Sequence, residues 1–539
     1  MIALSVYAVF ALIGLVCILG ARVAPARLPA LAAGAVHALS LAVIVLAATA
    51  QGLVFDAPTY LGDLWTAFDA IGKAHQGARS SIDYFNPIGP VYEWGLQAAL
   101  AVREPSASVL PLANAVIGAL ALGAAVLMLA GRVSALTVAL TGLIAVSVAV
   151  SPRDSDTLFV QGSASFLAPY NRWGWALFVP VMCFFAAPIK ARDIVGAVVA
   201  GGLIALMLLL KPTYGLAALG MVAVSAVLQR GRWRDAAIAV GAMLVVLAAL
   251  QVLTGQVSGY LSDLGETARM DQTGLRWIKL LYQLAEVGLF LLIALLVFYI
   301  AQPRDAPWPS PYLWRPLLLI LAVGGAGWMV MMQNHHATEA AVYLLMPLLA
   351  AEWSGLLRAG ATAQVSRSRI GWVLLIFLVT LARPLTDSGF VLAQNAQLAR
   401  LDRDTHLAGG YMHDLIVHRR WRRINDYQRM LSGLELLRAN GADVADAGTV
   451  LALNFSNPFP FLLGRPAPSG VPIWTHIGRS ISERQHPPAG EFFDGVDYLM
   501  LARGELSGEA VADIYRETIA AEFEEQDDDA YWRLFVRRE

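Results

Sequence analysis

Residues 62–94, GDLWTAFDAIGKAHQGARSSIDYFNPIGPVYEW, form a polar stretch in a chain that is otherwise mostly apolar. Apolar residues recur at helical spacing before and after Pro87 and Pro90, which predicts two amphipathic helices lying on a membrane surface. The stretch also carries the carboxylates Asp63, Asp69, Asp83 and Glu93. Because an unpaired charge beside a bilayer is costly, carboxylates in such a place are usually functional.

The composition of the whole chain indicates an integral membrane protein. Of its 539 residues, 57% are hydrophobic and 15% are charged, whereas a soluble protein has about 25% charged residues. The formal net charge is −1 and there is no long basic run, so nucleic acid is not a predicted partner. Cys17 and Cys183 both fall inside apolar segments, which predicts neither a disulfide nor a metal cluster.

Apolar segments long enough to cross a bilayer divide the first 386 residues. A spanning helix needs about 20 apolar residues, and by this rule the sequence predicts about 12 spans. Helices satisfy their own backbone polar groups in lipid, so we expect this part to be entirely helical. The predicted segments lie near 2–20, 30–54, 107–130, 134–151, 173–189, 194–210, 213–229, 235–254, 279–301, 315–333, 338–357 and 370–386.

Arginine and lysine collect in alternate connections between these segments, and this asymmetry predicts the orientation. The connections that are poor in positive charge, including residues 55–106, should face outward, and so should everything after residue 386. Residues 55–106 are therefore predicted to be an extracytoplasmic juxtamembrane loop. At about 50 residues this loop is far longer than most connections, which favours a functional role.

The tail, residues 387–539, differs in character from the apolar part. It contains charged amphipathic stretches and two short apolar runs, GTVLALNF from Gly448 and VDYLMLA from Val496, which read as buried strands. AVADIYRETIAAEFEEQ reads as a helix, and YWRLFVRR as a last strand. We thus expect a mainly α, polytopic membrane domain over 1–386 and a small C-terminal extracytoplasmic α/β domain over 387–539.

The order of motifs in the first outward loop resembles that of a known superfamily. Asp63 follows a spanning segment, NPIG follows at 86–89, and REPSA from Arg103 opens the next segment. This order is similar to that of GT-C membrane glycosyltransferases, above all protein O-mannosyltransferases and lipid A aminoarabinose transferases. LLLKPTYGLAAL, which contains Lys211, and YLLMPLLAAEW, which starts at Tyr343, are similar to two further elements of these families.

The resemblance implies an enzyme that moves a sugar from a polyprenyl phosphate to an acceptor hydroxyl or amine, usually with inversion. A carboxylate must then accept the acceptor's proton, a role that typically contributes about 10² to 10⁴ in rate. Asp63 is the candidate, and residues 55–106 become the catalytic loop. Capping of the helix that follows is the alternative role for Asp63, because Asp is a favoured N-cap residue.

Cations must also hold the donor phosphate while charge develops on the leaving group. Lys211 is the first candidate, although a lysine at the end of an apolar segment can instead extend to lipid headgroups. Where the families have a basic residue just before the tyrosine of the YLLP helix, this chain has Val342. The other phosphate-binding candidates are Arg153, Arg172, His335 and His336. The candidates for binding acceptor or sugar are Asp83, Tyr84, Asn86 and Glu93.

The acidic pairs Asp154/Asp156 and Asp402/Asp404 would suit a divalent cation. The resemblance implies no catalytic metal, however, so we predict neither a metal nor another cofactor. The predicted partners are a polyprenyl-phosphate sugar donor, membrane lipids, and an envelope glycan, lipid or protein as acceptor. We expect the protein in the bacterial inner (plasma) membrane, with its active site and C-terminal domain facing the periplasm.

Other classes of protein remain open at this stage. An O-antigen ligase or polymerase would use a lipid-diphosphate donor, but such enzymes place their large outer loop between late spans rather than after the last one. A transporter of about 12 helices would show internal repeats and polar groups near the bilayer midplane, whereas the polar groups here concentrate at one face. A non-catalytic membrane scaffold is a further possibility, which the order of motifs disfavours.

Overall fold

The computed structural model describes residues 28–55, 61–151, 169–188, 194–270, 277–301, 313–332, 341–357, 384–396, 413–417, 425–442 and 448–539. Several predicted features lie outside these residues. They are the segment 2–20, most of the segment 370–386, Cys17, the pairs Asp154/Asp156 and Asp402/Asp404, and the candidate residues Arg153, His335 and His336.

Helices dominate the chain up to residue 396. In chain order the elements are α1 (Leu28–Ala48), β1 (Leu53–Phe55), α2 (Leu61–His75), α3 (Pro90–Leu100), α4 (Val109–Leu129), α5 (Ala135–Val150), α6 (Pro169–Ala186), α7 (Ile194–Leu210), α8 (Pro212–Leu228), α9 (Trp233–Thr254), α10 (Gln256–Met270), α11 (Trp277–Ala301), α12 (Trp314–Met332), a 3₁₀ turn (Ala341–Leu344), α13 (Leu345–Trp353) and α14 (384–396). Each predicted apolar segment between residues 30 and 357 coincides with one of these helices. Helix α10 lies in the connection between the predicted segments 235–254 and 279–301, and α14 runs across the predicted domain boundary at 386.

Within the described residues, five helices are long and apolar enough to cross a membrane. They lie at Ala30–Ala48, Val109–Leu129, Trp233–Thr254, Leu284–Ala301 and Trp314–Met332. Shorter apolar helices lie at Ala135–Val150, Ile194–Leu210, Pro212–Leu228 and Val342–Trp353. The chain is an integral membrane protein with a mainly helical fold.

The C-terminal end of α6 is tied to its neighbours by buried charges. Two guanidinium groups lie near the Phe184 ring, with the carbon of Arg132 4.4 Å and that of Arg232 4.9 Å from the ring centre. Asp235 pairs with both arginines, at 3.6 Å and 2.8 Å. Arg232 also donates to the Phe184 carbonyl oxygen at 2.7 Å. Because buried charges are tolerated only when they are paired and hydrogen-bonded, this cluster fixes the relative positions of the helices that supply it.

The chain folds back onto the start of α4 at residues 413–417. Strand β2 (Leu415–Val417) pairs in parallel with β1, with Leu53 opposite Leu415. The Asp414 carboxylate accepts hydrogen bonds from the backbone N–H groups of Ala107 and Ser108, at 2.8 Å and 2.9 Å. These N–H groups precede α4 and would otherwise lack partners, so Asp414 stabilises both the helix start and the return of the chain.

A mixed sheet with helices forms the last part of the chain. Its elements are α15 (Asn425–Ala439), β3 (Thr449–Leu453), α16 (Phe459–Leu463), α17 (Ala489–Phe492), β4 (Val496–Ala502), α18 (Leu506–Ile514), α19 (Arg516–Glu522), β5 (Phe523–Asp528) and β6 (Trp532–Arg537). The sheet order is β3-β4-β6-β5, with β3 and β4 parallel and the other pairs antiparallel. Strands β3, β4 and β6 lie where the sequence predicts them. The predicted helix over 510–526 ends early, because FEEQDD pairs with β6 and this pairing overrides the helical preference of its glutamates.

This C-terminal part packs directly on α2. Phe461 stacks on Phe68, with ring centres 5.1 Å apart and an interplanar angle of 6°. Lys73 is buried and donates to the Pro468 carbonyl oxygen at 3.1 Å. We predicted that α2 exposes its polar face at a membrane surface, and this prediction was wrong. The polar face is buried because the segment 455–475 covers it.

Candidate active site

Tyr170, in the first turn of α6, is surrounded by side chains from several distant parts of the chain. Its ring centre lies 6.0 Å from that of Tyr92 on α3 and 6.4 Å from that of Trp474. The Lys211 Nζ atom lies 5.5 Å from the centre of the same ring. We use the name Tyr170 cluster for Asp63, Tyr92, Tyr170, Lys211 and Arg479.

Asp63 lies within the first turn of α2 and is half-buried. It is therefore inside the helix rather than at the N-cap position before it, and the helix dipole favours its negative charge. Burial and then the charge of Asp63 raise the pKa of the Tyr92 and Tyr170 phenols, so the carboxylate is within electrostatic reach of both. A half-buried carboxylate beside two phenols can accept a proton from a bound hydroxyl or amine.

Lys211 occupies the junction between α7 and α8, and the following Pro212 explains this position. A residue before proline is extended, and Lys211 has φ −163° and ψ 115°, which breaks the apolar run into two helices. Its Nζ atom donates to the Asn171 Oδ1 atom at 3.0 Å. Burial, followed by the charge of Arg479, lowers the pKa of Lys211 to about 7. Two cations held near each other repel, and a bound anion would relieve this repulsion.

Arg479 comes from the C-terminal part of the chain, and the sequence analysis missed it. Its charge acts on both Lys211 and Tyr170. The segment 474–480, WTHIGRS, also supplies Trp474. No periodicity or motif singles out this segment, since only the packing of the C-terminal part on α2 brings it to Tyr170.

Tyr84, Asn86 and Glu93 form a buried network of their own. The Glu93 carboxylate accepts hydrogen bonds from the Ser80 backbone N–H and from the Tyr84 hydroxyl, the latter at 3.4 Å. Asn86 Nδ2 donates to Ser80 Oγ at 2.8 Å. Burial raises the pKa of Glu93 to about 7. These contacts stabilise the turn between α2 and α3 and do not reach the Tyr170 cluster.

Two other predicted residues also lie apart from the cluster. Asp83 pairs at the surface with Arg79 at 3.3 Å. Burial opposes ionisation of Asp83, but the hydrogen bonds from Arg79 outweigh it and lower its pKa. Arg172 is buried and lines a small open pocket together with Asn114 and Gln394. Across the described ranges there is no group of three or more side chains that could hold a metal ion.

No protein-family model matches the chain, and no curated protein matches its sequence. The apo crystal structure of ArnT from Cupriavidus metallidurans, a lipid A aminoarabinose transferase of the GT-C superfamily, is similar, with a TM-score of 0.50 and 14% identity. The chain shares the fold of ArnT. The match covers 93% of this chain and 96% of the ArnT chain.

A second structure, ArnT from Cupriavidus metallidurans bound to undecaprenyl phosphate, gives a TM-score of 0.47 and 13% identity over the same shares of the two chains. The similarity to apo ArnT confirms the predicted resemblance at the level of the fold. In this fold, the Tyr170 cluster brings together a carboxylate, two cations and aromatic rings where α2, α3, α6, the α7–α8 junction and the C-terminal part meet.

Proposed function

We propose that the protein is a membrane glycosyltransferase that moves a sugar from a polyprenyl phosphate to an acceptor. The observation that carries this proposal is the position of Asp63, Lys211 and Arg479 around Tyr170. A carboxylate that can take a proton and two cations that can hold a phosphate are the charged groups that this reaction needs. ArnT, whose fold this chain shares, binds undecaprenyl phosphate, which supports the same class of donor.

The charges of the cluster match the leaving group better than the donor. A polyprenyl-phosphate sugar is a phosphodiester with one negative charge, whereas the polyprenyl phosphate that leaves gains a second ionisable oxygen with a pKa near 6. The two positive charges of Lys211 and Arg479 are therefore matched by two negative charges only as the bond between the phosphate and the sugar breaks. Groups that bind the transition state more tightly than the ground state are the ones that accelerate a reaction.

In the proposed reaction, an acceptor oxygen or nitrogen attacks the anomeric carbon from the face opposite the phosphate. The bond between that carbon and the phosphate oxygen breaks, and its electron pair leaves with the polyprenyl phosphate. Asp63 takes the proton that the acceptor loses. The product is a glycoside of inverted configuration, and the reaction needs no metal or other cofactor.

We further propose about 12 spans within a membrane domain over 1–386, with residues 55–106 as its catalytic loop. The C-terminal domain over 387–539 would lie on the same side of the bacterial inner membrane as this loop, in the periplasm. The packing of the segment 455–475 on α2 supports this common location, because both parts contribute to one site. An envelope glycan, lipid or protein is the proposed acceptor.

The test is sugar transfer by purified, lipid-reconstituted protein, using radiolabelled polyprenyl-phosphate sugars and crude envelope acceptors. Asp63→Asn should lower transfer by at least about 10², because it keeps the shape of the side chain and removes the base. Asp513→Asn, which changes an exposed carboxylate paired with Arg516, should leave transfer unchanged. Full activity in Asp63→Asn would exclude it as the base, and turnover of lipid-diphosphate donors alone would favour a ligase.

A further inference from the structure

Helix α10 holds the turn between α2 and α3 through one face. Gln256 and Asp263 both lie on this face and both bond to the turn. Gln256 Nε2 donates to the Ser80 carbonyl oxygen at 3.1 Å, and Asp263 Oδ2 accepts from the Asn86 backbone N–H at 2.9 Å. Positions that are four and three residues apart share one face of a helix, so the residue between these two, Tyr260, points the same way.

The Tyr260 side chain is 1% exposed, yet its hydroxyl has no hydrogen-bond partner among the described residues. A buried hydroxyl without a partner destabilises the folded state. The side chains on either side of Tyr260 are satisfied, so this lack of a partner is not a general feature of the helix. Buried polar groups of this kind call for a specific explanation, and a ligand that supplies the partner is one.

The hydroxyl end of Tyr260 lies at the α7–α8 junction, which also holds the phosphate-binding candidate Lys211. Gly89 has φ +99°, and a Cβ added there would lie 2.8 Å from the ring carbon that bears the Tyr260 hydroxyl. The same Cβ would also meet the Leu209 carbonyl oxygen, two residues before Lys211. Gly89 is therefore required for this close approach, which brings the hydroxyl end of Tyr260 to the α7–α8 junction.

Tyr260 remains a neutral hydrogen-bond donor under physiological conditions. Burial, followed by the charge of Asp263 and the nearby Tyr170 phenol, raises its pKa. Its neighbours are the Tyr170 phenol, the Asp263 carboxylate, which already accepts from Asn86, and the Leu209 carbonyl oxygen, which accepts no hydrogen bond from the Tyr260 hydroxyl. A ligand that completes this site must supply an acceptor, and a phosphate oxygen is a strong one.

We infer that the Tyr260 hydroxyl donates a hydrogen bond to a phosphate oxygen of the bound polyprenyl phosphate, beside Lys211. This inference rests on the proposed function and adds a third, uncharged donor to its phosphate site. The hydrogen bond strengthens as the phosphate gains negative charge, so Tyr260 favours departure of the leaving group. It does this without adding another positive charge beside Lys211 and Arg479.

The test is a two-by-two binding experiment with wild-type protein and Tyr260→Phe, each titrated with undecaprenyl phosphate and with undecaprenol. Loss of a hydrogen bond to a charged group should weaken binding of undecaprenyl phosphate by about 10- to 100-fold. Binding of undecaprenol, which has no phosphate, should be equal for the two proteins. The cycle isolates the contact between the hydroxyl and the phosphate from any change in the lipid-binding surface.

Thermal unfolding of the unliganded proteins is an independent measurement. Here we expect no loss in Tyr260→Phe, in contrast to its weaker binding of undecaprenyl phosphate. Tyr260→Phe removes a buried hydroxyl that lacks a partner, so its melting temperature should equal or exceed that of the wild type. Tyr515→Phe is the matched control, because its hydroxyl already donates to the Pro487 carbonyl oxygen at 2.8 Å. That variant should lose some stability and should bind both lipids as the wild type does.

Three results would overturn the inference. Equal affinity of wild type and Tyr260→Phe for undecaprenyl phosphate would show that the hydroxyl does not contact the phosphate. An equal loss for both lipids, or a lower melting temperature with a parallel loss of binding, would show a purely structural role. If the wild type bound undecaprenyl phosphate no more tightly than undecaprenol, the proposed function would be wrong, and this inference would fail with it.

Discussion

Lys211 shows how far the fold can set the charge state of one side chain. Pro212 ends the apolar run of α7 and leaves Lys211 at a helix junction, where burial and Arg479 lower its pKa to about 7. A lysine in water has a pKa of about 10.4 and is always charged at neutral pH. In this protein, the cation that we assign to the donor phosphate is thus partly deprotonated near neutral pH until the anion arrives.

This pKa makes donor binding depend on pH. Only protonated Lys211 attracts the phosphate, so the Kd for the donor should be constant below about pH 6. It should then rise by a factor that approaches 10 for each pH unit above 7. Lys211→Arg keeps its charge at every pH in this range, so its Kd should be nearly flat from pH 6 to pH 9. Isothermal titration of the donor across this range measures both curves.

Arg479→Gln provides the control for the cause of the shift. Removal of the neighbouring charge should weaken donor binding at all pH values, and it should also move the rise in Kd to higher pH, because Lys211 then holds its proton more tightly. A wild-type curve that is as flat as that of Lys211→Arg would contradict a lysine of lowered pKa at the phosphate site.

At the level of elements, three buried carboxylates lie on the helices around the turn between α2 and α3: Asp69 on α2, Glu93 on α3 and Asp263 on α10. Burial raises the pKa of Asp69 to about 6 despite its pairing with Lys73, that of Glu93 to about 7, and that of Asp263 to about 6. The folded state therefore binds protons more tightly than the unfolded state. The stability that these groups contribute is complete below their unfolded pKa of about 4 and is lost as the pH rises through 6 to 7.

Glu93→Gln should remove the largest part of this dependence, because glutamine resembles the protonated acid and can still accept from Ser80. Wild-type residues 76–89 should exchange amide hydrogens faster at pH 8 than at pH 5 after correction for intrinsic rates. In the variant, exchange at pH 8 should slow by about tenfold or more, measured by mass spectrometry. Glu104→Gln is the control, since Glu104 lies on the exposed connection after α3. Equal exchange in Glu93→Gln and wild type at pH 8 would contradict a buried, proton-binding Glu93.

The elements also show what the sequence could and could not predict. Long apolar runs identify helices because only a helix satisfies the backbone in lipid, and the described helices lie where these runs do. Helix α10 was missed although Val257, Tyr260, Leu261 and Leu264 recur at helical spacing. Its many polar residues resemble those of a loop. Gln256 and Asp263 are the two of them that are buried, and the α2–α3 turn provides their partners.

For the molecule as a whole, the site is shared between the membrane part and the C-terminal part. The sequence predicts a role for Asp63 and for Lys211, because each belongs to a short motif beside an apolar segment, and these roles stay predictions. Arg479, Trp474 and Tyr260 could not be predicted, because their positions at Tyr170 depend on contacts between parts that are distant in the chain. Tyr84, Asn86 and Glu93 were predicted to bind acceptor or sugar because they carry a phenol, an amide and a carboxylate. The sequence does not reveal that these groups form hydrogen bonds within one buried network instead.

The contact between Phe461 and Phe68 should couple the stability of the two parts. Phe461→Ala should cost about 3–5 kcal/mol and should increase hydrogen exchange in both α16 and α2, with a loss of sugar transfer. Phe492→Ala removes a ring of similar burial that stacks on Tyr515, with ring centres 4.6 Å apart, inside the C-terminal part. That variant should increase exchange around the sheet and leave α2 protected. Unchanged exchange of α2 in Phe461→Ala would show that the two parts fold independently.

The contacts at the two ends of α6 have a mechanical consequence. Helix α6 has 18 residues and is therefore about 27 Å long, with Tyr170 near one end and Phe184 near the other. Both ends are held, because Asn171 accepts a hydrogen bond from Lys211 and the Phe184 carbonyl oxygen accepts one from Arg232. A rod that is held at both ends keeps their separation, so α6 fixes how far the Tyr170 cluster lies from the buried charges around Phe184.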